Sequence, residues 1–198
     1  MSLTVDDSTI ASEPGKTRIS ARKYLRYTEV YGITKWIYLL ILQFSNSVLY
    51  RFLGNDMRVY DWISKKEQFR LGCLNPTVIL DVQKGLIATS TNLTKDFGPA
   101  TDVVKISKEK LHLIRGKHLK NGDRLPSIAL YYPNTENPNA TAWSDFNPLV
   151  PHCFSADLDH CDRLLDRLDE ASWRKLFHGL SQIKDTTVEG LYHVQNRH

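Results

Sequence analysis

The chain has 198 residues, of which 41% are hydrophobic and 24% charged, with a formal net charge of +4. Such a composition supports one well-packed domain with a helical extension, and a charge this small gives no reason to invoke nucleic acid. Three cysteines without CxxC spacing, Cys73, Cys153 and Cys161, argue against a disulfide scaffold and fit a reducing cytosol.

Residues 1–17 read as a polar, aperiodic and disordered tail, without the basic start and apolar core of a secretory signal. Residues 18–72 form a helical region. Ser20 is placed to cap its start, and Arg22, Lys23 and Arg26 lie on a basic turn beside Tyr24 and Tyr27. Next, Ile33, Trp36, Ile37, Leu40, Ile41, Phe44, Val48 and Phe52 recur at helical spacing, while Tyr38, Leu39, Leu42, Leu49 and Leu53 occupy the opposite side. A helix over 33–53 is therefore apolar nearly all round and ends at Gly54.

Three readings compete for this helix. It is buried within its own chain; it self-associates through Trp36, Leu39, Leu42, Leu49 and Leu53; or it lies on a membrane. The uncharged run from Lys35 to Arg51 falls short of the roughly 20 residues needed to cross hydrocarbon, so integral insertion is not expected. Length favours burial. A second helix is expected over 56–69, and Cys73 reads as a small buried hydrophobe.

Residues 73–184 form an α+β domain. Strands are predicted at 77–82, 85–90, 102–106 and 127–132, with a further strand within 108–116. Asn121-Gly122 marks a tight turn, because these residues accept positive φ. Short strands joined by tight turns favour a small antiparallel sheet or partial barrel. Between Lys105 and Arg124, seven basic residues stand against two acidic ones. The plain reading is lysines guarding a sheet edge, and the sharper one is an acidic protein partner. A single-strand binding edge would need stacking aromatics, which this segment lacks.

Trp143, Asp145 and Phe146 follow a turn-rich loop. Two rings flanking an acid either pin a loop to the core or, together with Asp123 and Arg124, line a small pocket. Ser155 is placed to cap a helix with Leu158, Cys161, Leu164 and Leu165 on one face, and Asp169 or Ser172 to start another with Trp173, Leu176 and Leu180 inward, giving a helical hairpin. His152, Cys153, Asp159, His160 and Cys161 are zinc-type residues, but adjacent pairs converge poorly on a tetrahedron and no metal is expected. Asp145 to Glu170 carries seven acids and two arginines, and is expected to face the basic segment of the same or a neighbouring molecule. Residues 185–198 show little pattern and read as a tail.

Taken as an ordered set, Thr91-Asn-Leu-Thr-Lys95, Asn121-Gly-Asp-Arg-Leu-Pro126 with Ala129-Leu-Tyr131, and Trp143-Ser-Asp-Phe146-x-Pro148 resemble a bacterial family known only as a domain of unknown function, over about residues 75–183. The resemblance implies a shared compact fold and transfers no activity, cofactor or catalytic residue. No GxSxG, phosphate-cradling loop, dinucleotide fingerprint or HExxH is present, so no catalytic residue and no cofactor is expected. The leading expectation is a non-enzymatic intracellular interaction module that self-associates through helix 33–53. The alternatives are a small-molecule enzyme with its pocket at Trp143, Asp145 and Phe146, and a cytoplasmic protein peripheral to the membrane.

Overall fold

The structure is a computed structural model that describes residues 13–43, 57–95, 98–137 and 139–195. The fold is α+β, as the turn-punctuated pattern predicts. Six antiparallel strands, β1 (Cys73–Asp81), β2 (Leu86–Asn92), β3 (Asp102–Lys108), β4 (Arg124–Tyr132), β5 (Asp145–Leu149) and β6 (Gly190–His193), form one sheet in the order β5-β4-β1-β2-β3-β6. The sheet curls into a half-barrel. Before it come α1 (Ala21–Tyr27), α2 (Gly32–Gln43) and α3 (Met57–Leu71); α4 (Leu158–Arg163) and α5 (Glu170–Gln182) follow β5.

The strand registers sort the side chains onto two faces. The convex face presents Val78, Leu86, Ala88, Val104 and Ile106 to Trp173 and Leu176 of α5, and these form one buried cluster. Asp169 caps α5, its side chain accepting from the Ser172 backbone N–H, as expected for an acid at that position. α4 is shorter than expected and is capped by Asp157, not Ser155. The hairpin's first arm continues only as a 3-10 turn, Leu165–Arg167.

On the concave face a few polar side chains interrupt an apolar lining. Thr77 and Thr89 are opposite each other and share a 2.7 Å hydrogen bond between fully buried hydroxyls. This face is bridged by Lys105 of β3, whose Nζ donates to both carboxylate oxygens of Asp145 at 2.8 Å and to the Phe146 carbonyl at 2.6 Å. That ammonium ties β3 to β5, which lies at the far edge of the sheet. Phe146 and Trp143 pack beside it with Leu93, Val103 and Ala129.

Several boundaries differ from the sequence reading. Residues 13–17, expected as part of a disordered tail, are strapped to the end of α3 by Gly15 N–H to Gly72 O, Lys16 N–H to Arg70 O and Thr17 N–H to Phe69 O. Gly15 permits this approach, since a Cβ there would lie 2.3 Å from Ile128 Cδ1. The rest of that tail, residues 1–12, lies outside the described residues. The further strand expected within 108–116 does not form: β3 ends at Lys108, and a 3-10 turn, Leu111–Leu113, buries its leucines instead. The cause is Glu109, a buried carboxylate that accepts the backbone N–H groups of Lys110 and Val150 and turns the chain inward. β6 occupies the stretch read as an unpatterned tail, and its pairing with Val103–Ile106 makes β3 an inner strand. The lysines of β3 therefore guard no edge.

If Lys105 closes the half-barrel, Lys105→Met should cost about 1.5–3 kcal/mol in urea unfolding, the range for hydrogen bonds to charged groups. Asp145→Asn, which keeps one acceptor oxygen, should cost less.

Candidate functional site

The residues proposed to line a pocket do not converge. Arg124 opens β4 and lies over the rings of Trp173 at 4.7 Å and Phe177 at 5.7 Å, on the convex face, while its guanidinium pairs with Glu170. Asp123 accepts the backbone N–H of Lys120 within the Asn121-Gly122 turn, where Gly122 has φ 88°. Asp145 pairs in register with Tyr132, at the other end of β4. At about 3.3 Å per residue, the two ends are roughly 26 Å apart. Trp143 and Phe146 are buried against Tyr131, with ring centroids 6.2 and 6.1 Å away. They fill core rather than frame a cavity.

The two oppositely charged segments do meet, within one molecule. Lys105–Asp145, Lys117–Asp162 and Arg124–Glu170 each join the basic stretch to the acidic one. The charge that motivated an acidic protein partner is thus largely spent internally.

The zinc-type residues also serve packing. His152 is fully buried, with its Nε2 2.8 Å from Asp162 Oδ1 and Lys117 Nζ 3.5 Å away, and its backbone carbonyl accepts from Lys23. Cys153 and Cys161 are buried free thiols, and burial raises both pKa values, Cys161 to about 11. Among the described residues no three His, Cys, Asp or Glu side chains cluster as metal ligands.

What remains open is α2. Ile33 is 80% exposed, Trp36 64%, Ile37 52% and Leu40 60%, a continuous apolar stripe at helical spacing. Tyr31, Met57 and Tyr60 are exposed as well. The opposite side faces inward: Leu42 is buried and Tyr38, Leu39 and Ile41 pack on the main cluster. Of the five expected interface residues, Trp36 is outward, Leu39 and Leu42 are taken up by the chain itself, and Leu49 and Leu53 lie outside the described residues, as do Phe44, Val48, Phe52 and the expected helix end at Gly54. No helix among the described residues is long and apolar enough to cross a membrane.

A family described as "Protein of unknown function (DUF3239)" matches residues 62–184. The chain belongs to this family. The span covers β1 to β5, α4, α5 and most of α3; α1, α2 and β6 fall outside it. No curated protein matches the chain. A solved structure from Corynebacterium diphtheriae, described as a "putative membrane protein", is similar at 18% identity with a TM-score of 0.49, over 61% of this chain and 99% of that one. Within the DUF3239 span lie all the residues of the expected pocket, whereas the exposed α2 stripe precedes it.

Burial lowers the pKa of His152 from its ordinary 6.5, outweighing the hydrogen bond its ring donates to Asp162, which raises it; Lys117 and Lys23 lower it further. The folded value is below the unfolded one, so the neutral ring contributes stability in full above pH 6.5 and loses it as pH falls through the folded pKa. Glu109, whose pKa is raised by burial, acts in the opposite sense. The melting temperature of His152→Asn should therefore fall less than that of the parent between about pH 7 and pH 5, a difference that isolates this ring from Glu109.

Proposed function

We propose that this chain is a non-enzymatic interaction module that pairs with a second copy of itself through the outward face of α2. One observation carries the reading: Ile33, Trp36, Ile37 and Leu40 stand side by side and more than half exposed on one helix face. Isolated exposed apolar residues are ordinary, but a contiguous stripe of this kind marks an interaction surface. The stripe offers no carboxylate to select a basic partner, and the helix has no acidic residue in its first turn and no basic residue in its last. Two such faces suit each other about a twofold axis. Burying each side chain contributes about 1.5–3 kcal/mol, against an association cost of about 4–15 kcal/mol. Summed over both copies, the first quantity is of the same order as the second or larger, and the docked α2 faces would then be the centre of the contact.

A second reading is favoured by a separate observation. Residues 18–72 carry ten basic and four acidic side chains, and Tyr31, Trp36 and Tyr60 are exposed among them. Aromatic and apolar groups set among basic ones suit an anionic lipid surface.

Light scattering after size exclusion separates the two. A dimer at high micromolar concentration that becomes monomeric in the Trp36→Glu/Leu40→Glu variant is the expected result. A clean monomer overturns self-association; if that monomer also floats with anionic but not neutral vesicles, the face belongs to lipid.

A further inference from the structure

A strand at the border of an antiparallel sheet turns the N–H and C=O of every second residue away from its neighbour. The two borders of this sheet treat those groups differently. On β5 the outward residues are Phe146, Pro148 and, just beyond the strand, Val150. The Phe146 N–H donates to Asp145 Oδ1 at 2.7 Å and its carbonyl accepts from Lys105, while the Val150 N–H donates to Glu109 Oε2 at 3.1 Å. Pro148 between them has no N–H. β5 thus offers an incoming strand no donor.

β6 is left open. The Val194 N–H donates to Asp102 O, so Gly190, Tyr192 and Val194 turn their backbone groups toward β3, and Leu191 and His193 turn theirs outward. Those outward groups have no hydrogen-bond partner among the described residues. At Gln195, the next outward position, the Gln182 side chain takes the place of a neighbouring strand. Its amide donates to Gln195 O at 3.0 Å and its Oε1 accepts the Gln195 N–H at 2.9 Å. The border is therefore open from Leu191 to His193 and stopped beyond. A groove of about 560 Å³ lies between β6 and the stretch 182–188, with Ile183, Val188 and Leu191 among its lining; Val188 is 52% exposed. No proline or bulge interrupts the pairing, and the charges balance: Lys108 pairs with Glu189 at 2.8 Å, and Lys184 and Asp185 both line the groove.

We infer that β6 takes a strand from a second copy of this chain, the two β6 strands running antiparallel about a twofold axis at Tyr192. Self-complementarity selects this occupant. In that register Leu191 of each copy is opposite His193 of the other, and each such pair exchanges both N–H···O bonds. Sliding the strands so that Leu191 meets Gln195 would bring it against a residue already held by Gln182. Tyr192 meets its own counterpart as a non-hydrogen-bonded pair, the kind whose side chains approach more closely, and aromatic cross-strand pairs stabilise sheets. Tyr192 and Val194 pack on the α5 side and Leu191 on the side of Trp143 and Phe146, so a joined pair continues both faces of the sheet. The balanced charges give a strongly acidic or basic peptide nothing to select it, and set no net charge against a copy. This pairing uses a different element from α2 and does not depend on it. So short a border makes it the weaker contact, formed at higher concentration.

Amide hydrogen exchange, followed by NMR on the full chain carrying Trp36→Glu/Leu40→Glu to remove the α2 contact, tests this. Between about 50 μM and about 2 mM, exchange at Leu191 and His193 should slow at least about twofold, while Tyr192, bonded to β3 at every concentration, stays unchanged. His193→Pro deletes only an outward N–H, which an edge strand tolerates, and puts a ring where the second strand would pair. Its circular dichroism should match the parent while the slowing at Leu191 disappears. Val188→Lys charges the groove without touching the ladder and should weaken the pairing at least about fivefold. Exchange at Leu191 and His193 that is equally fast at both concentrations overturns the inference and leaves the α2 reading as it stands. Slowing that survives either substitution unchanged puts the contact elsewhere and overturns it too.

Discussion

A half-barrel of six strands has two edges, and one ammonium group spans the distance between the two sides of this one. Lys105 is on β3 but its charge is satisfied on β5, by the Asp145 carboxylate and the Phe146 carbonyl. Its Nζ also lies 5.7 Å from the centroid of the Phe146 ring, so the same contact that neutralises the charge orients a core aromatic. Because Lys105 is largely enclosed, with 19% of its side chain exposed, the pair is screened less than a surface bridge. Within this closure Thr77 pairs with Thr89, and Thr91 with the Tyr131 hydroxyl.

The helices divide their work around that frame. α5 covers the convex face of β1 to β3, while α1, α2 and α3 share a larger cluster with the other end of the sheet and the segment around Val150 and Phe154. Gln68 of α3 links helix to sheet, donating to the carbonyls of Ile128 and Asn147. α2 contributes least, with Leu42 its one fully buried side chain. A helix this apolar and this uncovered is the feature that burial within the chain does not account for. Its surplus lies outside the family span, so the scaffold matched by the family and the surface proposed for association are carried by separate stretches of sequence.

Much of the sheet was legible. Val78-Ile79-Leu80 and Val103-Val104-Lys105-Ile106 announce strands because β-branched residues fit a pleated, half-buried surface. The ends were not legible, since Cys73 to Pro76 become strand only through partners supplied from β4 and from residues 13–14, both remote in sequence. β5 was hidden by Pro148, which an edge strand tolerates, and β6 by being four residues long. The complementarity of the basic and acidic segments could be read from composition. The pocket could not: Asp123-Arg124 and Trp143-Phe146 are near in sequence by loop standards, yet β4 sends them to opposite ends of the sheet. The parting of β1 from β2 beyond Thr77 had a visible signal in Pro76, but its meaning depended on knowing that Pro126 is opposite Pro76 in the β1–β4 ladder.

That pairing of prolines has a consequence for how the chain finds its alignment. If β4 slid by one residue along β1, each ring would be moved from a rung that needs no donor to one that does, and two backbone carbonyls would be stranded in the middle of the sheet. The same slip would turn Ile128 and Leu125 onto the wrong sides. The two central strands are thus indexed against each other by a rule that tolerates a single offset, much as a key bit admits one notch, and the rule needs no helix to enforce it.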